Sequence, residues 1–418
     1  MRIAFISMHT SPLATLGGKD TGGMNVFVRE AARALAHRGH KVDIFTRSNG
    51  SHSLRIDPRI APDARVIHVP AGPEAPVPKN DLYALVPAFT EWMCEFAGKN
   101  NLQYDVIHAH YWLSGLVADA LRECWGTKFV QTFHTLAELK NQIAERPEDR
   151  ESELRLQNEC HLCDRADLIT ANTSVERTQL IRFYGAGSRR IRIVPPGVDT
   201  SRFHPIDQDY AKSVIGIPPE HKMVLFAGRI EPLKGTDSLL RAVAVLRERH
   251  ARGELSWDFD KMCVSIIGGD PSEEGQRQNA EMARLFALRE SLGLKDLVVF
   301  LGARDQDALH FYYSAADCLV MPSHYESFGM VALEAMACGT PVIASDVGGL
   351  SQLVQHNKTG IRVPVKSPVK LADAMDHLLG DEVVRRRMGH AAACYAEDFD
   401  WNKIVDKLLA IYGEIGRA

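Results

Sequence analysis

Short runs of apolar residues alternate along this chain with longer stretches in which apolar positions recur every three to four residues. That alternation of strand and helix patterns builds parallel sheets from βαβ units. In the first half the runs predict strands at 3–7, 41–46, 65–69, 105–108, 128–132, 168–170 and 191–194. In the second half they predict strands at 223–227, 262–267, 298–301, 318–321, 341–344 and 360–363. Amphipathic helices are expected from Met24 to about His37 and from about Trp401 to Gly416. The fold class implied is α/β, built on parallel sheets.

Pro195-Pro196-Gly197-Val198-Asp199, with Phe203-His204-Pro205 behind it, interrupts every periodic pattern and marks a domain boundary. Length agrees, since 418 residues exceed what one hydrophobic core serves and divide into two domains of about 200. The expected division is 1–198, 199–398 and a last helix in 399–418. The Pro-rich connection also leaves the two halves free to hinge.

Composition excludes several classes. A net charge of −4 over this length argues against a nucleic-acid partner, and Arg385-Arg386-Arg387 reads as an exposed helix face. No apolar run approaches the ~18 residues of a membrane span, and no secretory leader is evident, so a cytoplasmic protein is expected. The eight cysteines have no disulfide-framework spacing, and Cys160-x-x-Cys163 lacks the second pair that a zinc site needs. His108-x-His110 would point two rings to one face of a strand, but no third ligand is apparent, so no metal is expected.

The chemistry concentrates in four segments. Glu326 and Glu334 have seven residues between them in Glu326-Ser327-Phe328-Gly329-Met330-Val331-Ala332-Leu333-Glu334. With Gly329 opening a helix, Glu326 lies in the loop above it and Glu334 about two turns inside, so both can face one molecule. The amides between them suit a diphosphate. Alone, two acids on a helix read equally well as a solvated face.

Arg229 and Lys234 follow the apolar run that ends in Phe226-Ala227-Gly228, where two cations at a strand's C-terminal end can neutralise a leaving diphosphate. Gly22-Gly23 precedes the first helix and allows close approach of backbone to a phosphate, although a turn with no ligand is the commoner meaning of such a pair. His134 stands at the end of a strand, where open α/β sheets place their ligands.

The Gly22-Gly23 loop, Arg229-x4-Lys234 and Glu326-x7-Glu334, in this order on two halves of a chain this long, resemble the retaining glycosyltransferases of family 4 with the GT-B fold. The resemblance covers essentially the whole chain. It implies two Rossmann-like domains facing across a cleft, with the C-terminal helix crossing back onto the N-terminal domain. It implies a nucleotide sugar, expected to be a UDP-sugar, held by Gly22, Gly23, Arg229, Lys234, Glu326, Ser327, Phe328, Gly329, Met330 and Glu334, with Glu326 on the sugar and Glu334 on the ribose.

Within the family, His9-Thr10-Ser11-Pro12-Leu13, Gly22-Gly23-Met24-Asn25-Val26, His108-Ala109-His110-Tyr111-Trp112-Leu113-Ser114-Gly115 and His134-Thr135-Leu136 are most similar to the members that place N-acetylglucosamine on inositol 3-phosphate. Sucrose-phosphate synthases, which join glucose to fructose 6-phosphate, share much of the layout but usually have Pro where Ser327 stands. The stretch from Gly268 to Leu292 is longer than in the inositol-phosphate enzymes. The resemblance assigns Asn25, Lys79, Tyr111, Thr135 and Arg155 to the phosphorylated acceptor. An ammonium, a guanidinium and two hydroxyls give a dianion donors from several directions.

The implied mechanism retains configuration: the leaving diphosphate accepts the incoming hydroxyl's proton, so no enzymic nucleophile is needed. Arg229 and Lys234 stabilise charge that develops only as the glycosidic bond breaks, and His134 orients the sugar and the attacking hydroxyl. The catalytic set is therefore His134, Arg229, Lys234 and Glu326. No obligatory cofactor is expected, magnesium entering only with the nucleotide, and the reading allows a homodimer.

Other classes fit less well. A nicotinamide oxidoreductase wants Gly-x-Gly-x-x-Gly directly after the first strand, where this chain has a long loop. A glycosidase sets its two carboxylates about the scissile bond without a diphosphate clamp. A nucleotide-sugar 2-epimerase shares the two-domain fold and would form product without acceptor. A silent binding subunit would be expected to lose the charged clamp.

Overall fold

The computed structural model describes residues 1–14, 21–50, 54–144 and 146–416. Contacts divide the chain into two compact units, one running to Gly197 and including the helix Trp401–Gly416, the other spanning Val198–Asp400.

The first unit carries an eight-stranded sheet of β1 (Arg2–Ile6), β2 (Lys41–Arg47), β3 (Ile56–Ala61), β4 (Ala64–Val69), β5 (Val106–His110), β6 (Phe129–Thr132), β7 (Leu168–Ala171) and β8 (Ile191–Ile193), in the order β3-β4-β2-β1-β5-β6-β7-β8. From β1 the chain builds outward to β2 on one side and to β5 on the other, so the topological switch point lies between β1 and β5. Ligands of open α/β sheets bind outside the strand ends at such a point.

The second unit carries β9 (Lys222–Ala227), β10 (Met262–Ile267), β11 (Val298–Gly302), β12 (Cys318–Met321), β13 (Val342–Ser345) and β14 (Gly360–Val363), all parallel, in the order β11-β10-β9-β12-β13-β14. Its switch point lies between β9 and β12.

The apolar runs exist because these strands are covered on both faces. On β9, Val224 and Phe226 enter one core with Leu239, Leu240 and Val243, while Met223, Leu225 and Ala227 enter another with Leu319, Leu333 and Met336. Each such aliphatic side chain contributes about 1.5–3 kcal/mol of burial.

In the first unit, the last helix lays Trp401, Ile404, Val405, Leu408, Ile411, Tyr412 and Ile415 against Ile3, Phe5, Phe27 and Leu35. Their spacing of three and four makes the stripe that this helix buries. Trp401 stacks so tightly on the backbone of Gly197 that a β-carbon there would sit 2.6 Å from its ring.

The expected α/β class is the one observed, and every predicted strand is present. One strand had no prediction. β3 is antiparallel to β4 at the sheet edge, with Pro58 inside it and a shift of register between Asp57 and Ala61. Only an edge tolerates a proline that cannot donate to the ladder, and that proline hides the strand from pattern reading. Cysteine pairing also differs from expectation, since Cys94 and Cys124, on neighbouring helices, form a disulfide with Cα atoms 6.5 Å apart. The helix after β12 begins at Met330, which places Glu334 little more than one turn inside it rather than two. Among the described residues, no helix is long and apolar enough to cross a membrane.

Candidate functional site

Each unit gathers polar side chains at the C-terminal ends of the strands beside its switch point. In the second unit, the loop after β9 is pressed onto its neighbours at glycines. The Gly228 carbonyl lies 1.8 Å from where a β-carbon on Gly268 would be, and Gly268 has φ +137°. Gly235, at φ +64°, opens the helix Thr236–Ala251 with its Cα side against the Pro322 carbonyl, where a β-carbon would come within 2.1 Å. The His324 amide donates to Leu233 O at 2.8 Å. These contacts bind the β9 loop to the β12 loop.

Their consequence is a pairing across 92 positions of sequence: Lys234 Nζ donates to Glu326 Oε2 at 2.5 Å, with both side chains mostly shielded from water. Glu326 is held by its backbone as well, since its carbonyl accepts the Gly349 amide at 2.9 Å. Gly348, at φ +45°, leaves no room for a β-carbon, which would stand 2.1 Å from that carbonyl. Loops after β9, β12 and β13 therefore converge on one residue, Glu326.

Arg229 is half-exposed, with Nη1 2.8 Å from Glu231. Ser327 and the buried Phe328 lead to Gly329, at φ +104°, and the helix Met330–Ala337 starts there with no side chain capping its first-turn amides. Such amides are anion donors. Glu334 is buried and accepts a hydrogen bond from the Tyr313 hydroxyl at 2.8 Å. Burial and that carboxylate push the Tyr313 phenol well up, so it remains a donor.

In the first unit, two non-glycine residues adopt positive φ at adjacent strand ends: Tyr111 after β5, at φ 78°, and His134 after β6, at φ 61°. The Thr135 amide donates to Phe133 O at 2.7 Å, which closes a γ-turn on His134. Backbone held this way is strained, and such strain collects at functional sites.

Tyr111 is the centre of a cationic group. The Arg155 guanidinium lies 4.8 Å from its ring centroid and the Lys79 ammonium 6.0 Å, while the His9 ring is tilted against it at 4.4 Å. Among the described residues no group accepts the proton of its buried hydroxyl, and burial, partly offset by Arg155 and Trp112, pushes the phenol up to about 12.

Arg155, only 1% exposed, donates to Glu159 at 2.7 Å and through Nη2 to the Thr135 hydroxyl oxygen at 3.1 Å and carbonyl at 2.9 Å. Its Nη1 lies 2.8 Å from Glu151 as an ion pair but makes no hydrogen bond among the described residues. Burial would lower its pKa, but Glu159, Tyr111 and Glu151 outweigh burial and raise it. Glu151 also pairs with Lys140 at 2.7 Å; burial opposes its ionisation, yet Arg155 and Lys140 bring it down to about 2. Lys79, Lys140 and Arg155 against Glu151 and Glu159 leave one positive charge over. His9 adds none, because burial, then the neighbouring cations Lys79 and Arg155, lower it to about 3.

The structure gives Asn25 and the glycine pair a local role. Asn25 Nδ2 donates to Thr10 Oγ1 and Ser11 O, both at 2.8 Å, and its Oδ1 accepts the Gly22 amide at 2.9 Å. It thus ties the loop after β1 to the helix Gly23–His37. Gly22 is extended and Gly23 helical, so neither is required by a positive φ. Loop residues 15–20, over which the sequence reading runs to Gly22, lie outside the described residues.

The sequence reading did not single out His9, Lys140, Glu151, Glu159, Tyr313 or Gly348 as site residues. A signal existed for two of them, because Glu151-x3-Arg155-x3-Glu159 is an i,i+4 ladder on one helix face. His108-x-His110 does point two rings to one side, with centroids 4.3 Å apart. Both nitrogens of His108 are engaged, by Tyr412 and by Thr132, each at 2.7 Å.

Known proteins carry the same architecture. A family model described as Glycosyltransferase Family 4 matches residues 21–202, and one described as Glycosyl transferases group 1 matches residues 207–394. The D-inositol 3-phosphate glycosyltransferase of Actinosynnema mirum is 41% identical over 414 residues, covering 99% of this chain and 97% of that protein. Among solved structures, sucrose-phosphate synthase from Thermosynechococcus elongatus is 34% identical, with TM-score 0.88 over 99% of this chain and 98% of that one. Anabaena HepE in complex with UDP-glucose shares the fold at 21% identity, with TM-score 0.75 over 99% and 100%.

Proposed function

Because the chain belongs to the glycosyltransferases that join a family 4 domain to a group 1 domain, we propose that it moves a hexosyl unit from a UDP-sugar to a phosphorylated acceptor, with retention of configuration. The leading pair of substrates is UDP-N-acetylglucosamine and inositol 3-phosphate. The carrying observation is the Tyr111 hydroxyl, buried beside the cations Lys79 and Arg155 with no acceptor for its proton among the described residues. An unsatisfied buried donor in a positively charged setting is suited to an anionic oxygen.

Thr135 supports the same reading. Its oxygen already accepts from Arg155, so its own proton is left to donate. Arg155 donates to Thr135 and Glu159 and is ion-paired with Glu151, while its buried Nη1 makes no hydrogen bond among the described residues, so it can supply a donor as well as field.

The second unit suits the donor. Lys234 has two further N–H groups beyond the one given to Glu326, and with Arg229 and the amides at Met330 it can meet a diphosphate. Glu326, fixed by side chain and backbone, takes sugar hydroxyls, and Glu334 the ribose. As the glycosidic bond breaks, its electron pair leaves with the diphosphate, whose oxygen takes the acceptor hydroxyl's proton while that hydroxyl oxygen bonds to the anomeric carbon on the same face. Negative charge grows on the diphosphate in this step, so cations placed there lower the barrier. Magnesium is not needed for that neutralisation.

A second reading, UDP-glucose to fructose 6-phosphate, is favoured by the likeness to sucrose-phosphate synthase. UDP release by the purified chain is the test, with UDP-N-acetylglucosamine and UDP-glucose each offered inositol 3-phosphate, fructose 6-phosphate and the unphosphorylated inositol and fructose. UDP is expected only with a phosphorylated acceptor, fastest with the leading pair, and activity confined to unphosphorylated acceptors would overturn the assignment. Lys234→Ala and Glu326→Ala are each expected to lower kcat by about 10²–10³ with an unchanged circular dichroism spectrum. If both stayed near full rate, the donor half would be wrong.

A further inference from the structure

His134 shares a single hydrogen bond with another buried ring: its Nε2 lies 3.0 Å from Nδ1 of His110, which is itself wholly buried on β5. Phe27 packs on both rings, and Phe5 meets His110 edge-on at 4.9 Å, so neither imidazole can swing away. The other nitrogen of His110, Nε2, is buried and without a partner among the described residues. His134 Nδ1 makes no hydrogen bond among the described residues and is not one of the buried orphans. Burial keeps both imidazoles neutral at ordinary pH, His134 down at about 3 and His110 well below its usual value.

Two neutral rings sharing one hydrogen bond have two arrangements. If His134 donated from Nε2, His110 would carry its proton on Nε2, an N–H buried with nothing to receive it. If His110 donates from Nδ1, its orphaned Nε2 is only a bare lone pair. An orphaned buried N–H is the rarer and costlier of the two. We propose that His110 is a positioning residue that fixes His134 as the Nδ1–H tautomer, so that His134 meets its ligand as a hydrogen-bond donor and not as a base. The ligand group must then be an oxygen acceptor, a sugar hydroxyl or a leaving phosphate oxygen, and proton removal from the attacking hydroxyl falls to the leaving group. The choice of ligand rests on the glycosyltransfer reading above, whereas the tautomer does not.

The experiment uses the full chain labelled with ¹⁵N-histidine, with multiple-bond N–H correlations at pH 7 and the His134→Gln spectrum to assign the signal. His134 is expected to show a protonated Nδ1 and a bare Nε2. In His110→Asn the amide N–H stands where Nδ1–H stood; it should keep that tautomer and most of the turnover. His110→Leu, lacking any donor, should let the other tautomer appear and lower kcat by about tenfold or more, with the KM for acceptor little changed, as when a histidine is left in its wrong tautomer. A wild-type His134 protonated on Nε2 would overturn the proposal, as would a folded Asn variant as slow as the Leu variant. If His110→Leu fails to fold, the wild-type and Asn spectra still decide. Absence of turnover with every substrate pair would count against the glycosyltransfer reading, and the tautomer would still be decided by the spectrum.

Discussion

Residues near the phosphate-binding candidates divide into those that are spent and those that are available. Arg155 is buried with Nε and Nη2 committed to Glu159 and Thr135, and only its Nη1, ion-paired with Glu151 but without a hydrogen bond among the described residues, remains available. Tyr111 looks like a core aromatic, but the proton of its hydroxyl has no acceptor among the described residues. Tyr111→Phe separates the two roles. Deleting an unpaired buried hydroxyl should leave the melting temperature unchanged or higher, while losing a hydrogen bond to a charged phosphate raises the acceptor KM by about tenfold or more. Thermal unfolding beside acceptor kinetics reads both, and a drop in stability without a change in KM would mark Tyr111 as structural.

Loops pressed together at glycines, rather than the helices they precede, set the geometry of the second unit. Gly348→Ala places a β-carbon 2.1 Å from the Glu326 carbonyl at a φ of +45°. It should shift the Glu326 loop and reduce kcat more than it reduces stability, which steady-state kinetics beside thermal unfolding would show. Gly413 lies in the helix Trp401–Gly416 with open space where a β-carbon would be. Gly413→Ala should therefore raise stability by about 0.4–1 kcal/mol through the unfolded chain alone and leave kinetics untouched. A denaturant titration decides it, and a loss of stability would mean the helix is packed differently.

For the molecule as a whole, the buried histidines give the first unit an acid-sensitive stability. His9, His108 and His134 are lowered from 6.5 to about 3 by burial, so between those values the unfolded chain binds protons that the folded chain does not. Their contribution is complete above pH 6.5 and is lost as pH falls towards 3. Glu176 opposes them. Raised by burial from 4.5 to about 7, it contributes fully below 4.5 and loses its effect as pH rises through 7. Three histidines outweigh one glutamate, so the unfolding transition of the first unit should move up in temperature from pH 5 to 6.5. His108→Gln should flatten that slope. Calorimetry across this range is the check, and a slope that is already flat in the unchanged chain would contradict the burial of these rings.

The sequence alone determined the alternation of strand and helix, the α/β class and every strand buried on both faces, because burial on two sides demands an unbroken apolar run. It also marked the loops that carry Arg229, Lys234, Glu326 and His134, because strand ends of open sheets must be followed by loops and these hold polar residues where apolar ones would serve the core. It concealed β3, whose edge position removes the demand for apolar residues and admits Pro58. Only the tertiary structure decided which side chains are engaged with one another. Lys234 meets Glu326 across 92 positions, and His108 meets Tyr412 across 304. Local periodicity reports which way a residue faces on its own element. It carries no information on which distant residue another loop brings to it, and the state of Arg155, Tyr111 and His134 depends on that approach.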